Sequence, residues 1–283
     1  MASHVPNVRS RRLAAELRRA RDEAGLTWEA VADRMGWSTS KVYRIEGDKV
    51  SVLLRDVQRL LDLYAVTGAH RDAVLELARQ ARRKDWWHQY SGAIPGWFQF
   101  YVGLEAEAAT LRGYETEFVP GVMQTEEYAR AIMSTAPEPD GEEAERQIAV
   151  RMERQKRLTG DNPLTLWVVL NEAVIRRLVG GPQVMRGQLA HLAELAGQRN
   201  VTVQVLTYAA GAHPAMHGAF TIMEFPEEAH PDVVYLEAQT GALYLEMTAD
   251  LRRYSLVFDY LRAQALAPAA SQALIAQVAK ELS

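Results

Sequence analysis

The sequence predicts an α+β chain of two domains. An all-α, five-helix domain occupies residues 1–84, and an α/β domain with a mixed sheet flanked by helices occupies 85–283. Three observations carry that prediction. Apolar residues recur at helical spacing through the first part of the chain. From residue 97 onward, helical stretches alternate with short runs rich in β-branched and aromatic residues. Charge divides in the same way: residues 1–84 hold 17 Lys and Arg against 11 Asp and Glu, and residues 85–283 hold 15 against 25. A length of 283 residues and an apolar fraction of 48% supply core enough for both domains.

Arg11–Ala24 is the first helix, with Leu13, Leu17, Ala20 and Ala24 on one face and Arg and Glu on the other. Gly25-Leu26-Thr27 ends it and makes Thr27 the N-cap of a second helix, Trp28–Met35, which turns Val31, Ala32 and Met35 inward. Gly36 suits the left-handed position that stops a helix, and Ser38 caps a third, Thr39–Glu46. That helix buries Val42 and Ile45 and exposes Ser40, Lys41, Tyr43 and Arg44. Two short helices joined by a tight Gly-containing turn, the second polar and basic, form a helix-turn-helix that fits a major groove. Ser51 caps a fourth helix through Tyr64, with Leu53, Val57, Leu60, Leu61 and Tyr64 as its buried stripe. A fifth, His70–Arg83, buries Val74, Leu77 and Ala78. Arg82-Arg83-Lys84 at its end either reach phosphate or complement the helix C-terminus.

The run GLTWEAVADRMGWSTSKVYRIEGD, within residues 10–64, resembles the helix-turn-helix of the Xre family, phage-repressor-type regulators with a lambda-repressor-like fold. The resemblance implies that Thr39–Glu46 is the recognition helix and that Arg21 pairs with Glu46 to lock the first helix onto the third. The chain departs from the family at Trp28, where the usual Gln helps hold a phosphate or base and an indole cannot accept a hydrogen bond. The segments WWHQY, GWFQFYVGLEAEA, TEFVPGVMQTEEYARAIM, LWVVLNEAVIRRLVGGPQVM, NVTVQVL and GAHPAMHGAFTIMEF are similar to the C-terminal domain of actinobacterial regulators described as antitoxin-like or WhiJ-like. That second resemblance implies an uncharacterised domain joined to an Xre-type domain and often encoded beside a small partner protein.

In the second domain, helices are predicted at Trp97–Thr110, Thr125–Ser134, Glu142–Leu158, Glu172–Leu178, Pro182–Gln198, Ala249–Ala265 and Ala269–Leu282. Strands are predicted at Tyr114–Val119, Leu164–Leu170, Val201–Leu206, Phe220–Phe225, Val233–Glu237 and Leu243–Glu246. Leu166–Leu170 is continuously apolar, as for a strand covered on both faces, whereas Val201–Val205 alternates, as for one covered on a single face. The stretch from 164 to 206 reads as a parallel crossover and the later strands as hairpins. No Gly-, Ser- or Pro-rich linker parts the domains. Instead Trp86, Trp87, Tyr90, Trp97, Phe98, Phe100 and Tyr101 gather at the junction, either as packing or as the lining of a ligand pocket.

The nucleotide loops G-x-x-x-x-G-K-[ST] and G-x-G-x-x-G are absent, as are H-E-x-x-H and G-x-S-x-G, so no enzyme, catalytic residue or cofactor is predicted. The chain has no cysteine, no apolar run of membrane-spanning length and no signal-peptide pattern. A cytoplasmic protein is expected, nucleoid-associated when on DNA and with no membrane partner. His213 and His217 are four residues apart, but Gly211, Pro214 and Gly218 argue against a helix there, and no metal is predicted. Glu237 and Glu246, at the ends of neighbouring strands, read as salt-bridge or rim residues rather than a catalytic pair. Arg146–Arg157 is a charged stretch with a narrow stripe of Ile148, Met152 and Leu158, by default a solvated face and otherwise a partner-binding helix.

These readings converge on a sequence-specific transcriptional regulator that binds a double-stranded DNA operator. Phosphate contacts are expected from Arg9, Arg11, Arg12, Thr27 and Lys49, and base reading from Thr39, Ser40, Lys41 and Arg44. One module makes too few contacts for site selection, so a homodimer reading two half-sites is expected. The acidic domain would adjust DNA binding through a ligand or a small partner protein encoded nearby. The expected site is a cleft between Trp86, Trp87 and Trp97 and the loop of His213 and His217. The alternative is an antitoxin-like protein whose main role is to bind a small cognate partner, with DNA binding for autoregulation.

Overall fold

The computed structural model describes residues 8–81, 94–135, 141–226 and 231–282. The chain divides into two compact units, Met1–His88 and Gln89–Ser283. Among its described residues the first unit consists of helices α1 (Val8–Glu23), α2 (Trp28–Met35), α3 (Thr39–Glu46), α4 (Leu54–Leu63) and α5 (Gly68–Gln80). Their apolar stripes meet in one core, in which Leu13 and Leu17 of α1 join Val31, Met35, Val42, Ile45, Leu60, Leu61, Val74 and Leu77. Two details differ from expectation. Ala24 lies past the end of α1 and is exposed, because Gly25 (φ +65°) turns the chain there and Leu26 packs on the core instead. Ser51 does not cap α4: Val50 and Val52, two residues apart, both pack against the core, which requires extended chain. The helix therefore starts later, after an extended and exposed Leu53.

The second unit opens with α6 (Gly96–Glu107), β1 (Thr110–Glu115), α7 (Glu126–Met133) and α8 (Gly141–Gln155). It continues with β2 (Thr165–Asn171), α9 (Glu172–Arg176), α10 (Pro182–Leu195) and β3 (Val201–Leu206). Strands β4 (Phe220–Glu224), β5 (Val233–Ala238) and β6 (Gly241–Leu245) follow, then α11 (Thr248–Gln264) and α12 (Pro268–Glu281). The strand order is β3-β2-β1-β4-β5-β6. Strands β1, β2 and β3 are parallel, with Leu111 opposite Leu166 and Val168 opposite Val203, and β1–β4, β4–β5 and β5–β6 pair antiparallel. This is a mixed sheet with a crossover through α9 and α10 and hairpins after it.

The first strand sits earlier than predicted. Helix α6 stops at Glu107 because Ala108, fully buried, is already extended, although the small residues there favour helix. The segment beyond Glu115 leaves the sheet, and the Val119 N–H is taken by the Tyr128 hydroxyl at 3.2 Å instead of a strand neighbour. Strand β3 is covered on both faces rather than one. Its Gln204 is buried, accepts from Trp167 Nε1 at 2.8 Å and donates to the carbonyls of Arg262 and Leu266 at 3.2 and 2.9 Å. A polar residue whose amide is satisfied inside looks, in sequence, like one that faces water.

Tyr114, Val169, Ile222 and Val234 form one face of the sheet, packed on Phe258 and Leu261 of α11. On the opposite face Leu111, Gly113, Leu166 and Val168 line a cavity closed by residues of α6 and α8. Among the described residues no helix is long and apolar enough to cross a membrane.

Candidate nucleic-acid interface

Helix α3 is set in place by local chemistry at each end. Thr27 Oγ1 accepts from Ala30 N at 3.3 Å and starts α2, and Ser38 Oγ accepts from Lys41 N at 3.2 Å and starts α3. Between them Gly36 adopts φ +68°, and the Trp37 N–H returns to the Ala32 carbonyl at 2.8 Å. At its far end α3 is clamped to α1. Arg21 Nε and Nη2 donate to Glu46 Oε1 and Oε2 at 2.8 and 3.0 Å, and Arg21 Nη1 donates to the Leu26 carbonyl at 2.8 Å. The hydrogen bond to Glu46 holds the Arg21 guanidinium above its ordinary pKa. Trp28 Nε1 also donates to Glu46 Oε2, at 2.8 Å, and the indole meets Tyr43 edge-on at 5.3 Å. The indole thus serves the scaffold, tying the start of α2 to the end of α3.

The outer face of α3 carries Ser40, Tyr43 and Arg44, all exposed, with Thr39 half-buried at its start. Arg44 Nε rests on the Ser40 carbonyl at 3.2 Å, and Lys49 Nζ lies over the Tyr43 ring and donates to its hydroxyl at 3.3 Å. Lys41 is not exposed as predicted. Its ammonium bonds Asp56 of α4 at 3.1 Å and sits 3.5 Å from the centre of the Trp37 ring, so its charge is already engaged.

Arg9, Arg11 and Arg12 are half-buried on the first turn of α1. Ser10 Oγ donates to Asp48 Oδ2 at 2.8 Å and pins that turn beside the loop that carries Lys49. Asp48 itself has φ +49°, a conformation its short polar side chain tolerates. The first turn of α1 and Lys49 are thereby brought together, whereas Thr27 sits at the start of α2 with its hydroxyl already used as a cap. Replacing Arg11 and Arg12 by Ala is expected to weaken binding to all duplexes alike. The salt dependence should flatten by about one unit of slope for each phosphate that is no longer neutralised. Titrations at several salt concentrations check this, and an unchanged slope would remove both residues from the phosphate set.

Of the predicted cleft, the structure places only Trp97, His213 and His217, and it does not bring Trp97 and His213 together. Trp86, Trp87 and Tyr90 lie outside the described residues, as do Arg82, Arg83 and Lys84. Trp97 lines the cavity on the α6–α8 face of the sheet. His213 Nε2 instead lies 3.2 Å from Tyr114 Oη on the α11 face, where burial lowers the His213 pKa, and His217 is exposed. Trp97 and His213 are therefore on opposite sides of one sheet, as the alternation of Gly113 and Tyr114 along β1 requires. Glu237 and Glu246 do not pair: Glu237 stands opposite Ala242 and accepts from the Tyr235 hydroxyl at 2.7 Å. The stretch Arg146–Arg157 is no plain solvated face either, since Val150 and Arg154 are buried with Ile148 and Leu158.

Sequence reasoning missed Trp28 as a donor to Glu46 and Asp56 as the partner of Lys41. A signal existed for the second, because Asp56 sits next to Val57 in the buried stripe of α4 and a carboxylate there needs a cation. No spacing rule links Trp28 to Glu46.

The sequence profile described as a helix-turn-helix domain matches residues 12–74. A second, described as a domain of unknown function (DUF5753), matches residues 98–277. No curated protein and no solved structure matches the chain.

Proposed function

The chain belongs to the DUF5753 family and carries a helix-turn-helix domain ahead of that region, and from this premise we propose a sequence-specific transcriptional regulator of the Xre type. The observation that carries the proposal is the outer face of α3, where Ser40, Tyr43 and Arg44 project from a helix capped at Ser38 and clamped at Glu46. Arg44 reads a guanine edge, with Ser40 and Thr39 beside it. Lys41 joins only by giving up Asp56 and is a secondary reader. Arg9, Arg11, Arg12 and Lys49 position the unit on phosphates, and the N-terminus of α2 at Thr27 faces another. Two copies read two half-sites. The second unit tunes the reader by binding a ligand or a small partner protein and has no enzymatic activity of its own. The protein works in the cytoplasm, on nucleoid DNA.

The test starts from selection of preferred duplexes with the full chain. Arg44→Ala is expected to reduce discrimination between the selected site and random duplex by about 1–3 kcal/mol. Lys41→Ala is expected to lower the unfolding midpoint, because the buried Asp56 keeps only the exposed Arg55 at 4.0 Å, while most of the discrimination remains. Competition titrations and denaturant melts separate the two effects. Arg44→Ala with undiminished discrimination would reject α3 as the reading helix.

A further inference from the structure

The cavity on the α6–α8 face of the second unit has a volume of about 820 Å³, within the range of sites that enclose small ligands. Its floor is apolar, formed by Leu111, Leu166 and Val168 of the sheet. Trp97, Val122 and Phe118 line it as well, and Phe118 is exposed on its open side. Into this space the fold puts titratable groups with few hydrogen-bond partners of their own. Arg151 makes a single hydrogen bond among the described residues, Nη1 to Gln124 Oε1 at 2.8 Å, and no ion pair. Burial and the neighbouring Arg154 cation push its pKa down to about 10, against the opposing attraction of the Glu237 carboxylate. Arg154 itself is spoken for, bonded to Glu105 through two contacts of 2.7 Å. On β1, Glu115 has no hydrogen-bond or ion-pair partner among the described residues, and burial together with the charge of Glu237 raises its pKa to about 8. Among the described residues Glu237 accepts only from Tyr235.

A cation and a pair of carboxyl groups thus line one cavity without bonding each other. Arg151 and Glu115 are part-buried and Glu237 is exposed at the edge of the cavity. A desolvated cation or carboxyl group with so few partners is costly, which leaves Arg151 and Glu115 open to a ligand that supplies them. A ligand with one charge of each sign relieves both ends at once. We propose that the cavity binds a small zwitterion with an apolar body, an amino acid or short peptide. Its carboxylate lies on Arg151 and its ammonium between Glu115 and Glu237. Gly121 leaves room for Arg154, since a Cβ there would stand 3.2 Å from Arg154 Nη1 and crowd it, while making only ordinary contact with Arg151 Nε at 3.6 Å. This deepens the reading in which a ligand tunes the regulator, but the binding itself does not depend on DNA.

The experiment is calorimetric titration of the full chain, without DNA, using L-tryptophan and glycyl-tryptophan as zwitterions, tryptamine as the cation-only analogue and indole-3-acetate as the anion-only analogue. At least one zwitterion is expected to bind saturably, about tenfold or more tighter than either single-charge analogue. An ammonium beside Glu115 favours its ionised form, so binding near pH 7 should release protons, read from the heat in buffers of different ionisation enthalpy. Glu115→Gln should abolish that release. Arg151→Gln should weaken the zwitterion about tenfold or more while leaving tryptamine unaffected. Glu115→Gln also leaves an uncharged, hydrogen-bonding side chain in place, so a melt of each variant checks that the unit still folds. Binding of neither zwitterion at millimolar concentration, or equal binding of an analogue that carries one charge, overturns the proposal. Loss of DNA discrimination in Arg44→Ala bears on the helix-turn-helix alone, so the two readings fail separately.

Discussion

Glu105→Ala should destabilise the second unit by about 3–5 kcal/mol, the cost of leaving a buried cation alone. Both oxygens of Glu105 on α6 receive Arg154 of α8, Nε and Nη2 each at 2.7 Å, and the two side chains are 1% and 5% exposed. The guanidinium lies 5.3 and 5.1 Å from the ring centres of Phe98 and Tyr101, and these rings cannot replace a carboxylate as acceptor. Glu105 also helps hold the Tyr101 hydroxyl far above its usual pKa, after burial itself. With the carboxylate gone, α6 and α8 lose the bond that ties them across the edge of the cavity. Glu105→Gln should lose less, because one acceptor survives. Replacing both partners by apolar residues of similar volume, Glu105→Leu with Arg154→Met, should recover much of the loss. Denaturant melts of the full chain, fitted with one transition per unit, give these values. A loss below about 1 kcal/mol, the range of exposed pairs, would show that the pair is solvated and contributes little.

The two units differ in how far their sequences could be read, and the reason is where their information lies. In the helix-turn-helix, the signals are local: Thr27 and Ser38 cap, Gly36 turns, and Val31, Met35, Val42 and Ile45 keep helical spacing. Each acts within four residues, so each is visible in a short window. The second unit gave up its mixed sheet, because alternation and apolar runs mark strands wherever they sit. It did not give up its site. Arg151, Glu115 and Glu237 come from α8, β1 and β5, and only the parallel pairing of β1 with β2 and the antiparallel path to β5 through β4 bring their elements to one face. A polar side chain that is buried reads as a surface residue when its partner is far along the chain. Gln204 and Arg154 both misled in that way, and Lys41 did so on a smaller scale, its Asp56 partner lying on the next helix. Trp97 and His213 part for a related reason: both suggest a pocket, yet which face of the sheet α6 and the loop of His213 pack on is set by the fold and not by the neighbouring sequence.

Glu46→Ala should cost the first unit about 2–4 kcal/mol, since it deprives three N–H donors of one shared carboxylate. Arg21 Nε and Nη2 and Trp28 Nε1 all end on Glu46, at 2.8, 3.0 and 2.8 Å. The Arg21 and Glu46 side chains are 9% and 4% exposed, so water does little to replace the carboxylate. Arg21 keeps the Leu26 carbonyl and Asp22 at 2.7 Å, which holds the loss below that of a fully orphaned cation. Double-mutant cycles divide the clamp. Arg21→Ala with Glu46→Ala should show strong coupling, and Trp28→Phe with Glu46→Ala a smaller one, because Phe keeps the ring against Tyr43 and removes only the N–H. The clamp also fixes the tilt of α3 against α1, so affinity for the selected duplex should fall in Glu46→Ala even at temperatures where the unit is still folded. If neither cycle shows coupling, Glu46 does not hold α1 to α3. If coupling is strong but affinity is unchanged in the folded protein, the clamp supports stability alone, and the position of α3 is set by the Val42 and Ile45 packing beneath it.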